Sequence, residues 1–354
     1  MEQPVPVFVS ETYFVNHQLN RVVKGIQNAA RRKKLTVRMT SSLPEVIGWC
    51  KSWGISACIV LCYSLADAAE FARTFYVEQI HPIFTNMQPD SLYPYSCVTQ
   101  DYFDACSYVV EVIADMRGKV AYVGKNPDSY TDALRYKEVE LALREHGLGC
   151  DVYNNSGSIN ACIDAFLPHA DEYTAVICAN DNVAVLLSRK FEHPEEHNIM
   201  SFGGMIMSEH VNGITSVGMD YFGVGEHAFE VFSLLSKSRG IRSVIMTVTD
   251  AKGREKCAHG SAAANSGRDE RIDFYDDEEV RRTSALENLL AHCDEVDKQI
   301  LSSLLNGESY ASIEENSYIS LHTIKYRINK MIERAEVADK NALLSLLRNY
   351  DIRF

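Results

Sequence analysis

The sequence has no apolar run approaching the roughly 18 residues that a membrane-spanning helix needs. Its start, Met1-Glu2-Gln3-Pro4, lacks the charged segment and apolar stretch of a secretory signal. A soluble, cytoplasmic protein with no membrane partner is therefore expected. The 10 cysteines show no short paired spacing. Cys50, Cys58 and Cys62 lie in apolar contexts and read as small buried hydrophobes, which a reducing cytosol permits. Cys257-Ala258-His259 is too sparse for a metal site, and His17, His81, His146, His169 and His210 are dispersed, so no metal is expected. No glycine-rich phosphate loop follows the first strand, and no G-x-S-x-G elbow occurs. Neither catalysis nor a cofactor is indicated. Positive charge is also scarce: 35 Lys and Arg stand against 48 Asp and Glu, a net charge of -13. The surface as a whole is thus no nucleic-acid face, and any DNA contact must be local.

What is present is ordinary globular material, 46% hydrophobic and 23% charged over 354 residues, enough for two or three domains. Short apolar runs alternate with helical periodicity. Strands are expected at Val5 to Ser10, Leu35 to Met39, Ala57 to Cys62, Pro82 to Phe84 and Ser96 to Thr99. Helices are expected between them, at Asn16 to Arg32, Pro44 to Trp53 and Ala66 to Phe75, and then at Asp101 to Met116. The alternation repeats from Lys119 to about Lys237. Consecutive α/β units of similar size suggest two lobes, each a doubly wound parallel sheet, with a cleft between them. Ligands in such sheets bind beyond the carboxyl ends of the strands.

From about Asp250 to Asn288 the pattern stops. Small and charged residues, ending in Asp276-Asp277-Glu278-Glu279, read as an exposed linker that finishes in a helix; part of it could instead be a last hinge strand. Four short helices then follow. Ile300, Leu301, Leu304 and Leu305 form one apolar face, closed by Asn306-Gly307. A second helix, at about Tyr310 to Ser317, turns Ala311 and Ile313 inward. Ser320 is a good N-cap for a third helix, in which Ile324, Ile328 and Ile332 form a core stripe. Lys325, Arg327, Lys330 and Arg334 lie off that stripe, with His322, Tyr326 and Asn329 beside them. Asp339 caps a fourth helix with Leu343, Leu344 and Leu347. A short helix, a tight turn and a longer basic helix make a helix-turn-helix, whose second helix enters the major groove.

The run Leu304-Leu305-Asn306-Gly307-Glu308-Ser309, then Ile313, then Ile319-Ser320-Leu321-His322-Thr323-Ile324-Lys325, closing on Ala335-Glu336-Val337, resembles the LuxR-type DNA-binding domain. Glu314 and Glu315 depart from it, standing where that family has an alanine and more neutral residues. Two acids near phosphate would weaken non-specific affinity. The resemblance implies double-stranded DNA as partner, a homodimer, and a dimer surface on the fourth helix. It suggests Ser320, His322, Thr323, Lys325, Tyr326 and Asn329 toward the groove, with Lys330 and Arg334 toward phosphate.

Upstream, Val5 to about Thr249 resembles the LacI/GalR-type ligand-binding domain, a two-lobed periplasmic-binding-protein-like fold of type I. Arg21 to Ala30 matches its first helix, and Val120 to Gly124 with Asp132 to Val139 matches "I-A-x-I-G" and "R-x-x-G-F". Thr174 to Ala184 matches "T-A-I-x-A-x-N-D-x-x-A", and Ile214 to Val217 matches the strand near the hinge. The resemblance implies ligand contacts from Arg135 and Asn180, and from the polar pair Gln100 and Asp101. The residue reading adds Asp181, here or as a helix cap, and Ser10, Tyr13 and Phe14 as a wall after the first strand. Arg135 could equally be a surface salt bridge, and Asn180-Asp181 a strand-end turn with a helix cap. Gly203-Gly204 replaces the acid that binds sugar hydroxyls in that family, so an ordinary monosaccharide is not implied.

The expectation is a sensor at 1–250, a linker at 251–288 and a helix-turn-helix domain at 289–354. The chain would be a DNA-binding regulator controlled by a small-molecule effector, with a sugar-like molecule as one candidate. The alternative keeps the sensor and gives the helices to protein interaction or dimerisation.

Overall fold

The protein is described by a computed structural model, which covers residues 4–10, 17–62, 64–127, 129–236, 241–248 and 277–354. Lobe 1 opens with β1 (Val5–Val9), α1 (His17–Arg32), β2 (Val37–Thr40), α2 (Leu43–Trp53) and β3 (Ala57–Leu61). It continues with α3 (Leu65–Val77), β4 (His81–Thr85) and β5 (Ser96–Gln100). The chain crosses into lobe 2 with α4 (Tyr102–Ala114), β6 (Val120–Lys125), α5 (Tyr130–Glu145), β7 (Cys150–Asn154) and α6 (Ile159–Phe166). Next come β8 (Ala175–Cys178), α7 (Asp181–Ser188), β9 (Ile199–Gly203), α8 (Ile206–Glu209) and β10 (Ile214–Gly218). It returns to lobe 1 with α9 (Tyr221–Leu235) and β11 (Ile245–Val248).

Both sheets are parallel throughout, in the orders β11-β5-β4-β3-β1-β2 and β10-β9-β8-β6-β7. Parallel strands covered by helices on both faces should be apolar on both, and β1, β3 and β8 are fully buried. Alternation assigns the side chains to separate cores. Val5, Val7 and Val9 join a core that runs through both lobes beside α1, α9, α4 and α5, whereas Phe8 faces α2 and α3. In lobe 2, Tyr122 and Ile177 face the first core, while Ala121, Val123, Val176 and Cys178 face the opposite side.

Helices α1 and α9 touch backbone to backbone. A Cβ on Gly25 would lie 2.0 Å from the Phe222 carbonyl oxygen, and one on Gly225 would lie 2.0 Å from that of Val22. Only glycine permits that approach. Asn28 and Arg32 fasten the crossing by bonding Glu226 at 2.7 and 2.9 Å.

The C-terminal helices are α10 (Glu278–Leu290), α11 (Glu295–Leu305), α12 (Tyr310–Ser317), α13 (Leu321–Arg334) and α14 (Lys340–Asn349). The helix expected to finish the linker is α10, and residues 251–276 lie outside those described. The helices do not stand apart. Leu286, Leu289, Leu301, Ile324, Ile328 and Leu347 share one continuous core with Val123, Val176 and Leu186 of lobe 2. Two local expectations are corrected. Met331 is buried where Ile332 was expected, because the helix rotates about 100° per residue and the core spans both positions. Ala311 is exposed, so Ile313 alone anchors α12.

Candidate functional site

Polar residues collect at the carboxyl ends of both sheets. In lobe 1 the backbone of Ser10 follows β1 and donates to Leu61 O at 2.9 Å. Asn86 follows β4, and Gln100 ends β5. In lobe 2, Asn155 follows β7, tied through its backbone to Lys125 O at 2.8 Å, and Asn180 follows β8. The lobes touch here through a bridge between Ser64 and Ser129, the N-caps of α3 and α5. Three of these amides are buried with an atom that has no hydrogen-bond partner among the described residues: Asn86 Oδ1, Gln100 Nε2 and Asn155 Oδ1. An unpaired buried polar group costs roughly 1–3 kcal/mol, so such a cluster favours any ligand that supplies the missing partners. Asn86 and Asn155 were not expected from sequence. The one signal they carried was a polar amide directly after an apolar strand. Tyr13 and Phe14 lie outside the described residues.

Arg135 is buried and bonds Asp132 through Nη2, and Asp132 also accepts the Asn126 amide at 3.1 Å. The Tyr102 and Phe202 rings lie 6.0 Å from the guanidinium. Burial opposes its charge, but the Asp132 carboxylate together with Tyr221, Tyr122 and Tyr102 outweighs that and holds Arg135 above its ordinary pKa. Arg135 is thus held by a carboxylate of its own helix, and its Nε has no partner among the described residues. Lys125, at the end of β6, lies 4.1 Å from the Tyr136 ring centroid. Asp101 caps α4 by accepting the Asp104 amide at 3.3 Å, at the first crossing between lobes.

The helix cap expected of Asp181 falls to Asn180, and Asp181 is buried instead. Asn180 Oδ1 caps α7 by accepting the Val183 amide at 3.2 Å, leaving its NH2 group to face other partners. Asp181 is 0% exposed and cannot meet a ligand directly. It accepts the Ser201 and Ser216 hydroxyls at 2.5 and 2.6 Å and the Met205 amide at 2.6 Å. Gly203 makes room for it: with φ 144, its Cβ would stand 2.9 Å from Asp181 Oδ2. The glycine at 203 is thus accounted for by the buried Asp181 carboxylate beside it.

The helix-turn-helix geometry is formed by α12, the turn at Tyr318 and α13. Tyr318 takes a left-handed conformation, φ 56, and is 99% exposed. Ser320 caps α13 by accepting the Thr323 amide at 3.2 Å, and its hydroxyl meets the Thr323 hydroxyl at 2.9 Å. Glu314 is a second cap: its carboxylate accepts the Leu321 amide at 2.7 Å, so this departure from the resemblance has a structural use. On α13, His322, Lys325, Tyr326 and Asn329 are exposed together. Arg327 is withdrawn from that face by Asp294 and Asp297 at 2.9 and 2.8 Å. Lys330 pairs with Glu333, and Arg334 donates to His292 O at 3.2 Å. Leu343, Leu344 and Leu347 of α14 are buried within the module, so a dimer contact there would use its polar face.

No family profile matches the sequence, and no curated relative matches it. The fold resembles several solved structures. A Bacillus cereus subsp. cytotoxis protein assigned as a LacI transcriptional regulator is 14% identical, with TM-score 0.60, over 75% of this chain and 100% of its own. A LacI-family regulator, CCPA, from Weissella paramesenteroides, solved with bound sucrose, is 18% identical, with TM-score 0.55, over 73% and 97%. GanP, a glucose-galactose binding protein from Geobacillus stearothermophilus, is 13% identical, with TM-score 0.57, over 70% and 95%. The fold is thus the two-lobed, type I periplasmic-binding-protein-like one, which both regulators and a sugar-binding protein use.

Proposed function

We propose that this chain is a cytoplasmic transcription regulator. A small effector binds between the lobes, and the C-terminal module, a LuxR-type helix-turn-helix, binds double-stranded DNA as a homodimer. The observation that carries the reading is α13: one face is buried in the module, and the other presents His322, Lys325, Tyr326 and Asn329 to solvent from a doubly capped N-terminus. Imidazole, ammonium, phenol and amide at helical spacing are suited to base edges and phosphate. One short helix reads few base pairs, and a dimer on two half-sites multiplies that specificity.

The effector class follows from the cleft. Arg135 is neutralised by Asp132, and Lys125 stacks on Tyr136. What remain are the unpaired amides and Arg135 Nε. A neutral molecule bearing hydroxyls or amides fits them; a phosphate or dicarboxylate would find both cations already engaged.

The test is a mobility shift with native upstream DNA, with and without effector. A retarded complex that weakens steeply with salt is expected. Failure on every fragment would favour the second reading, a protein-interaction module. That reading is supported by the exposure of Tyr318 and Tyr326, 99% and 59%.

A further inference from the structure

Helix α10 is the only stretch of the described C-terminal residues that packs on α7 and α8 of lobe 2, on α1 of lobe 1 and on α13. Its Glu287 is wholly buried in the last turn of the helix. The Glu287 carboxylate accepts the amides of Ile206 and Met207 at 2.9 and 2.8 Å. The preceding amide, Met205, goes to Asp181 at 2.6 Å. Three consecutive amides of one short turn are therefore shared between a carboxylate beneath the cleft and a carboxylate of the helical module. A second tie runs parallel: the Thr283 hydroxyl donates to Asn182 Oδ1 at 2.8 Å. Among the charged groups acting on Glu287 are Asp181, which repels it, and Arg21 of α1, which attracts it. One lobe thus anchors the residue while the other tunes it.

We propose that Glu287 is a positioning residue that registers α13 to the cleft, with the 205–207 turn as the shared element through which Asp181 and Glu287 sense each other. This rests on reading the cleft as a sensor and α13 as its output. A change at the β8, β9 or β10 ends shifts Asp181, then the turn, then α10. Coupling claimed through a contact chain requires a measured interaction, not proximity alone.

The experiment is a double-mutant cycle on the full chain: Asp181→Asn, Glu287→Gln and both, read by amide exchange in residues 321–334 and in β4 as control. Asp181→Asn should raise exchange in 321–334 at least fivefold when Glu287 is present. In the Glu287→Gln background the same change should have less than a twofold effect, and β4 should not move. Independent, multiplicative effects would overturn the proposal. Should Asp181→Asn fold poorly, Ser216→Ala removes one of its partners while keeping the charge, with the same expectation. The readout contains no DNA. A chain that shows this coupling but retards no duplex would keep the latch and lose the DNA reading; the opposite pattern would do the reverse.

Discussion

The two lobes share a topology and differ in how they end. Lobe 1 closes its outer face with its own α2 and α3, around Phe8, Cys58, Val60 and Phe84. Lobe 2 covers its corresponding face with α6 and α7 and then continues into the C-terminal helices through one unbroken core. Charged and aromatic ties reinforce that join: Arg189 lies 4.1 Å from the Tyr350 ring, and the Ile159 amide donates to Asp277 at 3.1 Å. The helical module is structurally part of lobe 2. Any motion between the lobes therefore carries the module with lobe 2 and swings it past lobe 1.

The sharpest way to break this comparison is a cavity in each outer core. Leu286→Ala, in α10, should cost about 2–5 kcal/mol and raise amide exchange in α13 and lobe 2 together. Phe75→Ala, in lobe 1, should cost about 3–5 kcal/mol and leave α13 exchange unchanged. If Leu286→Ala loosened the helices alone, the shared core would be a contact and not a unit.

An effector should tie the unlike lobes together. At about 100 times its Kd, a neutral polyol or amide ligand should stabilise the chain by about 2.7 kcal/mol, seen as a higher melting temperature. Asn155→Leu should remove the shift and Lys325→Ala should not. A shift produced only by anionic ligands would overturn the effector class.

Acidity separates the lobes too. Burial pushes the Glu287 carboxyl up to about 7, against the two amide bonds that favour its charge. Its folded pKa lies above the unfolded value near 4.5. The stability it contributes is thus fully present below about 4.5 and lost as pH rises through about 7. Unfolding free energies from urea titrations at pH 5 and 8 should differ by on the order of 1–3 kcal/mol, and Glu287→Gln should reduce that slope, leaving the part owed to the buried Asp181, whose carboxyl is also pushed up by burial.

The smallest effect expected is on DNA. Lys325→Ala should weaken binding across sequences and lower the salt slope by about 1. Lys330→Ala should do less, because Glu333 already neutralises it in part. Equal losses would mean that DNA displaces Glu333.

Most of the architecture was legible because parallel strands buried on both faces leave dense apolar runs. β11 escaped notice because it lies at a sheet edge, where only Val248 is buried and Ile245 and Thr247 face outward. The cleft was half legible. Strand ends could be located, but Asn86 and Asn155 look like exposed turn formers in sequence and are buried in the fold. Asn180 and Asp181 belong to the expected turn, but the cap is Asn180 and not Asp181, since a one-residue difference at a cap is invisible in sequence. Arg327 looked as free as Lys325; its partners stand 33 and 30 residues earlier in the chain, beyond any local pattern. Glu287 did carry a signal: a lone acid inside Ala285-Leu286-Glu287-Asn288-Leu289-Leu290.

The bare crossing of α1 and α9 has an evolutionary meaning. Side-chain packing can drift, since one hydrocarbon replaces another with modest loss. Main-chain contact cannot, because every residue but glycine brings a carbon that would strike a carbonyl oxygen. Gly25 and Gly225 should therefore outlast almost everything around them, and a paired absence of side chains at those places would mark distant kin after all other resemblance had faded.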